Sequence, residues 1–225
     1  MDRRASWPPD LPLPGRPTPG APSPPPLPPM VPGHFVVADA MPDVRDRLLD
    51  QRRLLISGHL DDVVSTRAAA ELMVLDGSGD DPIEVHLSSP DGSLVACLAL
   101  ADTVDLISSP VHVVCRGTVG GAAIAVLVAA ERRIATSFAS FHLVEPRVES
   151  TGTSAELLSF ADHHQRLVQA LHRRIADATG QGLAAVVEVV RPGSVLDADE
   201  ALRFGLVHEV QRPGPATVTP LHPRG

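Results

Sequence analysis

The stretch from Ile83 to Ile107, IEVHLSSPDGSLVACLALADTVDLI, decides the reading of this chain. Ile83, Val85 and Leu87 alternate with Glu84 and His86, the period-2 pattern of a strand with one buried face. Ser88-Ser89-Pro90-Asp91-Gly92 then breaks the strand, because Pro lacks an N–H and Asp and Gly favour turns. Residues 94–107 are apolar nearly all round, which predicts a buried helix. A strand, a tight turn and a buried helix make the first half of a βαβ unit.

The same unit repeats on either side. Arg53-Leu54-Leu55-Ile56-Ser57 reads as a strand, and Asp61 or Asp62 can N-cap a helix through Ala68, Leu72 and Leu75 that ends near Gly77. Downstream, residues 111–114 form an apolar strand. The turn Gly117-Thr118-Val119-Gly120-Gly121 opens an apolar helix over 122–130. Short strands are expected around 133–135 and 140–142. A long amphipathic helix spans 155–179, with Leu157, Leu158, Leu167, Leu171 and Ile175 on its apolar face and Gly180 as its stop. A helix over 199–204 and a strand over 206–210 complete the pattern. Strands alternating with helices imply an α/β fold with largely parallel pairing.

Composition bounds the rest. Thirteen of the 23 prolines lie between Pro8 and Pro32. Residues 1–33 therefore read as a disordered, polyproline-prone arm, serving as a solvated spacer or as a ligand for an aromatic groove. Residues 34–212 make one domain, and 213–225 a flexible tail. The net charge is −8 and all 19 basic residues are arginine, so an acidic surface argues against a nucleic-acid partner. The longest apolar run, 120–130, is too short to span a bilayer, which predicts no membrane segment. Prolines after Arg4 leave no signal-peptide core, and the two cysteines sit in apolar stretches. The expected location is cytoplasmic.

Two glycine-containing turns, around Gly92 and around Gly120-Gly121, each follow a strand and open a helix. Backbone N–H groups at such a turn can hold an oxyanion, or the glycines can simply permit a tight turn. The second turn lacks the G-K-S/T ending of a phosphate loop. His163-His164 beside Asp162 do not share a helix face, so no metal site is expected.

Together these segments resemble the proteolytic subunits of Clp proteases (ClpP). Arg53 to Gly58 with Asp61-Asp62 is similar to their opening strand and helix start. Leu87-Ser88-Ser89-Pro90-Asp91-Gly92 resembles their N-S-P-G-G turn, and Gly117 to Ala123 lies where they have G-Q-A-A-S-M-G. Phe141-His142 falls on their catalytic histidine strand. Asp197 to Val207, DADEALRFGLV, resembles their S-A-x-E-A-x-x-Y-G-L-[VI] ending. The resemblance implies a ClpP/crotonase-like spiral of βαβ units with a protruding handle helix, here 155–179. It also implies subunits in stacked seven-membered rings, self-assembled or mixed with paralogous ClpP subunits, and docking of an AAA+ unfoldase. It implies no metal and no cofactor.

Set against that family, the chain departs at the triad. The nucleophilic serine position falls on Gly121 and the aspartate position on Gly193, leaving His142 alone. The oxyanion-hole positions are Gly92 and the Ala122 N–H. Asp91 replaces a family glycine beside that hole, where a carboxylate disfavours a developing oxyanion. Glycine can neither attack a carbonyl nor orient an imidazole. The expectation is a pseudoprotease, a structural or regulatory ring subunit. Two alternatives stand beside it. One is an active serine endopeptidase with a relocated nucleophile, for which Ser93, Ser140, Ser194 and Cys97 are candidates. The other is a crotonase-like acyl-CoA enzyme, since Glu131-Arg132-Arg133-Ile134-Ala135 with Ala139-Ser140-Phe141 resembles the D-x-R-I-A…A-x-F segment of that family.

Overall fold

The computed structural model describes residues 42–212. The expected arm over 1–33 and tail over 213–225 lie outside the described residues, as do 34–41 of the expected domain.

Helix α1 (Pro42–Asp50) leads into strand β1 (Arg53–Ser57), followed by α2 (Asp62–Asp76), β2 (Ile83–Ser88), α3 (Leu94–Leu106) and β3 (Val111–Cys115). Strand β5 (Arg132–Thr136) and strand β8 (Glu209–Gln211) extend the same sheet, whose order is β1-β2-β3-β5-β8. All four pairings are parallel. Parallel neighbours need a crossover, and the helices between the strands supply it. The fold is thus α/β with a parallel sheet, as the alternating pattern predicted.

A second, three-stranded sheet carries the site. β4 (Thr118–Gly120) runs parallel to β6 (Ser140–Leu143), which pairs antiparallel with β7 (Ser194–Asp197). Helix α4 (Ile124–Ala129) packs against α3 and α5, with Ile124, Ala125, Val126, Leu127 and Val128 all buried. That burial explains why no polar face breaks its sequence. Leu100, Leu127, Phe141 and Leu171 are among the largest fully buried side chains. Each contributes roughly 1.5–3 kcal/mol by leaving water.

Local chemistry sets the boundaries. Asp61 Oδ1 accepts from the Val64 N–H at 2.8 Å and starts α2. Asp197 and Glu200 form a capping box that starts α7 (Ala198–Phe204). Thr153 and Glu156 do the same for α5 (Ser154–Thr179).

Four readings of the sequence change. The helix expected over 122–130 begins as a 3₁₀ turn, Gly121–Ala123, with Thr118–Gly120 paired as a strand before it rather than being wholly a turn. The last strand is Glu209–Gln211, because residues 206–208 leave α7 through Arg133 backbone contacts before pairing begins. Helix α6 (Leu183–Val190) was not anticipated: its β-branched run hides a helix that buries Val186 and Val190 against α5. Finally, Leu157 and Leu158 do not face the core. All of residues 151–163 are exposed, and α5 becomes buried only from Val168 onward. The first half of the 26-residue helix projects from the domain.

Candidate active site

Strand β4 delivers Gly120 and Gly121 to the start of a helix, and this junction is the centre of the candidate site. Gly121 has φ +53, left-handed backbone that an L-residue enters only with strain. A sharp strand-to-helix turn of this kind is the geometry that displays a nucleophile in hydrolases. Here it displays none. The register pairs Gly120 with His142, and a Cβ on Gly120 would meet the His142 Cβ at 2.7 Å and the Pro90 carbonyl oxygen at 2.7 Å. The absence of a side chain at 120 is therefore what lets His142 and the Pro90 turn approach so closely.

The space above Gly121 is filled by Asp91. A Cβ on Gly121 would collide with Asp91 Oδ1 and lie 3.1 Å from its Cγ. The same Oδ1 accepts the Gly92 N–H at 2.8 Å. Ser89 Oγ donates to the Asp91 carbonyl at 2.8 Å, and the Leu60 N–H donates to that carbonyl at 3.2 Å, so the turn is held on both sides. One N–H that could stabilise an oxyanion is thus satisfied by a carboxylate of the chain itself. Gly92 is packed tightly too, with Cys97 Sγ 2.7 Å and Leu60 Cβ 2.8 Å from where its Cβ would be.

His142 is half-buried on β6, and its ring makes no hydrogen bond among the described residues. Gly193 lies beyond it along the antiparallel β6–β7 pair. It has φ +81, and its nearest neighbour would be Val144 Cγ1 at 3.4 Å. So Gly92, Asp91, Gly121, Ala122 and His142 gather at one place, while Gly193 brings no functional group to it. A cleft of about 260 Å³ opens beside Asp91 and Gly92, walled by Val95, Val148, Phe160, His163 and Leu167.

The family model for Clp protease matches residues 37–213, most of the chain and all of the described domain. The chain belongs to the Clp protease family. The projecting α5 and the β4–helix elbow described above are therefore elements of a Clp protease domain, and proteins of this family typically form oligomeric rings. No described helix is long and apolar enough to cross a membrane.

Within this Clp protease domain, most of the hydroxyl and thiol side chains named as candidate nucleophiles are committed elsewhere. Ser93 Oγ caps α3, accepting from the Ala96 N–H at 3.4 Å. Ser140 Oγ shares a hydrogen with Thr118 Oγ1 at 3.1 Å. Cys97 is fully buried, and burial, aided by the Asp91 carboxylate, pushes its thiol up to about 12, so it is no thiolate at neutral pH. Ser194 lies on β7 opposite Leu143 rather than His142. His163 and His164 both border the cleft, and His164 Nε2 lies 3.2 Å from the Pro146 carbonyl oxygen. No three His, Cys, Asp or Glu residues converge as a metal site among the described residues.

Sequence reasoning placed Asp91 beside the site but missed its position directly over Gly121. The coincidence of an acid at 91 with a missing side chain at 121 was the available clue. His172, which in the sequence is one of several histidines scattered without ligand spacing, shares a buried stripe with Val168, Leu171 and Ile175 at helical spacing.

Proposed function

We propose that this Clp protease family member is a catalytically inactive ring subunit with a structural or regulatory role. Acyl transfer by this family's chemistry needs a nucleophile, a base oriented by a third group, and two free donors for the oxyanion. The observation that carries the reading is the Asp91 carboxylate, which spans the space above Gly121 and the Gly92 N–H together. Gly121 offers no attacking atom and Gly193 offers nothing to orient His142. An oxyanion forming here would meet a fixed negative charge instead of a free donor. Losing triad members alone lowers turnover on the order of a millionfold.

In this reading the subunit acts by assembling with itself or with active paralogous subunits in stacked heptameric rings. It would change the number of active sites per chamber, the stability of the ring or the docking of an AAA+ unfoldase, in the cytoplasm. The projecting half of α5, with Leu158 70% exposed, supports assembly, since an isolated protomer would leave that apolar surface in water. In this reading the proline-rich segment 1–33 serves as a spacer or a gating element.

Native mass spectrometry of the chain co-expressed with its host's other Clp subunits tests the role. Mixed or homomeric rings, with peptidase activity falling as this subunit replaces active ones, are the expected result. A monomer that joins no Clp subunit would overturn it.

A further inference from the structure

Helix α5 borders two clefts on opposite faces. Phe160, His163 and Leu167 face the one beside Asp91. Gln165, Gln169, His172 and Arg173 lie about half a turn around the helix and border a second cleft of about 250 Å³. Its remaining walls come from α6, from Arg191 at the end of that helix, and from Glu145 just beyond β6.

The polar groups around this second cleft have unspent bonding capacity. His172 is 4% exposed, and its Nε2 is sealed from solvent without a hydrogen-bond partner. Burial lowers its pKa, so the ring is neutral at pH 7. Arg173 and Arg191 make no ion pair, and Gln165 and Gln169 make no side-chain hydrogen bond, among the described residues. The neighbouring Arg174, by contrast, is spent on Asp102 and Asp105. Buried polar atoms are nearly always satisfied, so an orphaned imidazole nitrogen beside a cleft marks a place where a partner is missing. The positive charges outnumber the single carboxylate, Glu145. Planar guanidinium groups match the geometry of carboxylate and phosphate. Leu183, 47% exposed, and Val187 supply an apolar wall for the body of a ligand.

We propose that this cleft binds a small molecule bearing a carboxylate or phosphate group, with Arg173 and Arg191 holding the oxyanion and the Gln165 and Gln169 amides orienting it. The site is separate from the cleft beside Asp91 and does not depend on whether that cleft is catalytic. Because it joins the buried half of α5 to α6, a bound ligand stabilises the base of the projecting helix.

Thermal denaturation of the full chain at constant ionic strength tests this, with sodium chloride replaced stepwise by sodium phosphate or by sodium succinate. The expected result is a saturating rise in Tm with at least one anion, as ligand binding to the native state requires. R173Q and R191Q change only exposed side chains that make no ion pair among the described residues, and each is expected to weaken the apparent affinity by about tenfold or more. E145Q, which removes the opposing charge, is expected to tighten it severalfold. A rise of equal size in all variants would mark general salt exclusion and overturn the proposal, as would no rise with either anion. A third outcome also overturns it: the arginine variants change only oligomer size and leave the anion response intact, which would assign the cleft to a contact between subunits.

Discussion

Asp91 and Gly121 share one volume, so their substitutions cannot act independently. Gly121→Ala introduces a Cβ that collides with Asp91 Oδ1. Asp91 must then swing away and release the Gly92 N–H, a charge-assisted bond worth about 1.5–3 kcal/mol. The half-buried position of Asp91 puts the value toward the lower end. The left-handed backbone at 121 adds a further penalty of roughly 1–2 kcal/mol for any L-residue. Asp91→Ala loses the same hydrogen bond without the backbone strain. In the double variant the bond is lost once, not twice, so the sum of the single effects exceeds the double effect by the worth of that bond, about 1.5–3 kcal/mol. The backbone strain appears in both backgrounds and cancels. Urea unfolding followed by far-UV circular dichroism is the assay, because the only tryptophan is Trp7 and there is no tyrosine. Protein concentration must be held fixed, since ring assembly contributes to apparent stability. Additivity within about 0.5 kcal/mol would refute the placement of Asp91 over Gly121.

Three further outcomes are expected. Arg133 is 5% exposed and donates to the carbonyls of Leu206 at 2.9 Å and Ala178 at 2.8 Å, tying β5 to the ends of α5 and α7. Arg133→Met should therefore cost about 3 kcal/mol or more in chemical denaturation, and Arg133→Lys should recover only part of it; a change within the noise would contradict that role. Cys97 and Cys115 are buried with raised thiol pKa values, so a disulfide-exchange reagent at neutral pH should titrate neither thiol until urea unfolds the chain; rapid labelling of native protein would show the packing to be wrong. Asp76 accepts the Ser109 and Ser108 N–H groups at 2.8 and 3.0 Å, and the Ser109 bond leads in holding its carboxyl below the ordinary range. Its contribution to stability is therefore present above the unfolded-state carboxyl pKa and is lost as pH falls through the lower, folded value. Asp76→Asn should flatten the acid limb of a stability–pH profile, and an unchanged limb would count against the contact.

Much of the fold was legible because it rests on short-range chemistry. Ile83, Val85 and Leu87 announce β2 by alternation, and Asp61 and Gly180 mark helix ends by their own conformational preferences. Helix α6 was not legible: Val186, Val187, Val189 and Val190 favour strands locally, and only packing on α5 makes them helical. The outward face of Leu157 and Leu158 was hidden for the opposite reason. Periodicity reports which residues share a face, not whether the domain covers that face. At the site, spacing alone led to Gly121 and Gly193. The Asp91–Gly92 N–H contact is local, but the approach of Asp91 to Gly121 joins residues thirty apart and depends on the turn at Pro90, so no local pattern contains it. The orphaned nitrogen of His172 is likewise a property of packing.

The proposed inactivity requires that no nucleophile operates at this elbow. Incubating the purified chain with a fluorophosphonate probe, alongside a fluorogenic peptide assay, tests it most directly. No labelled serine and no hydrolysis above background are expected, with His142→Ala indistinguishable from the parent. A single labelled serine found by mass spectrometry, together with hydrolysis abolished by His142→Ala, would contradict it.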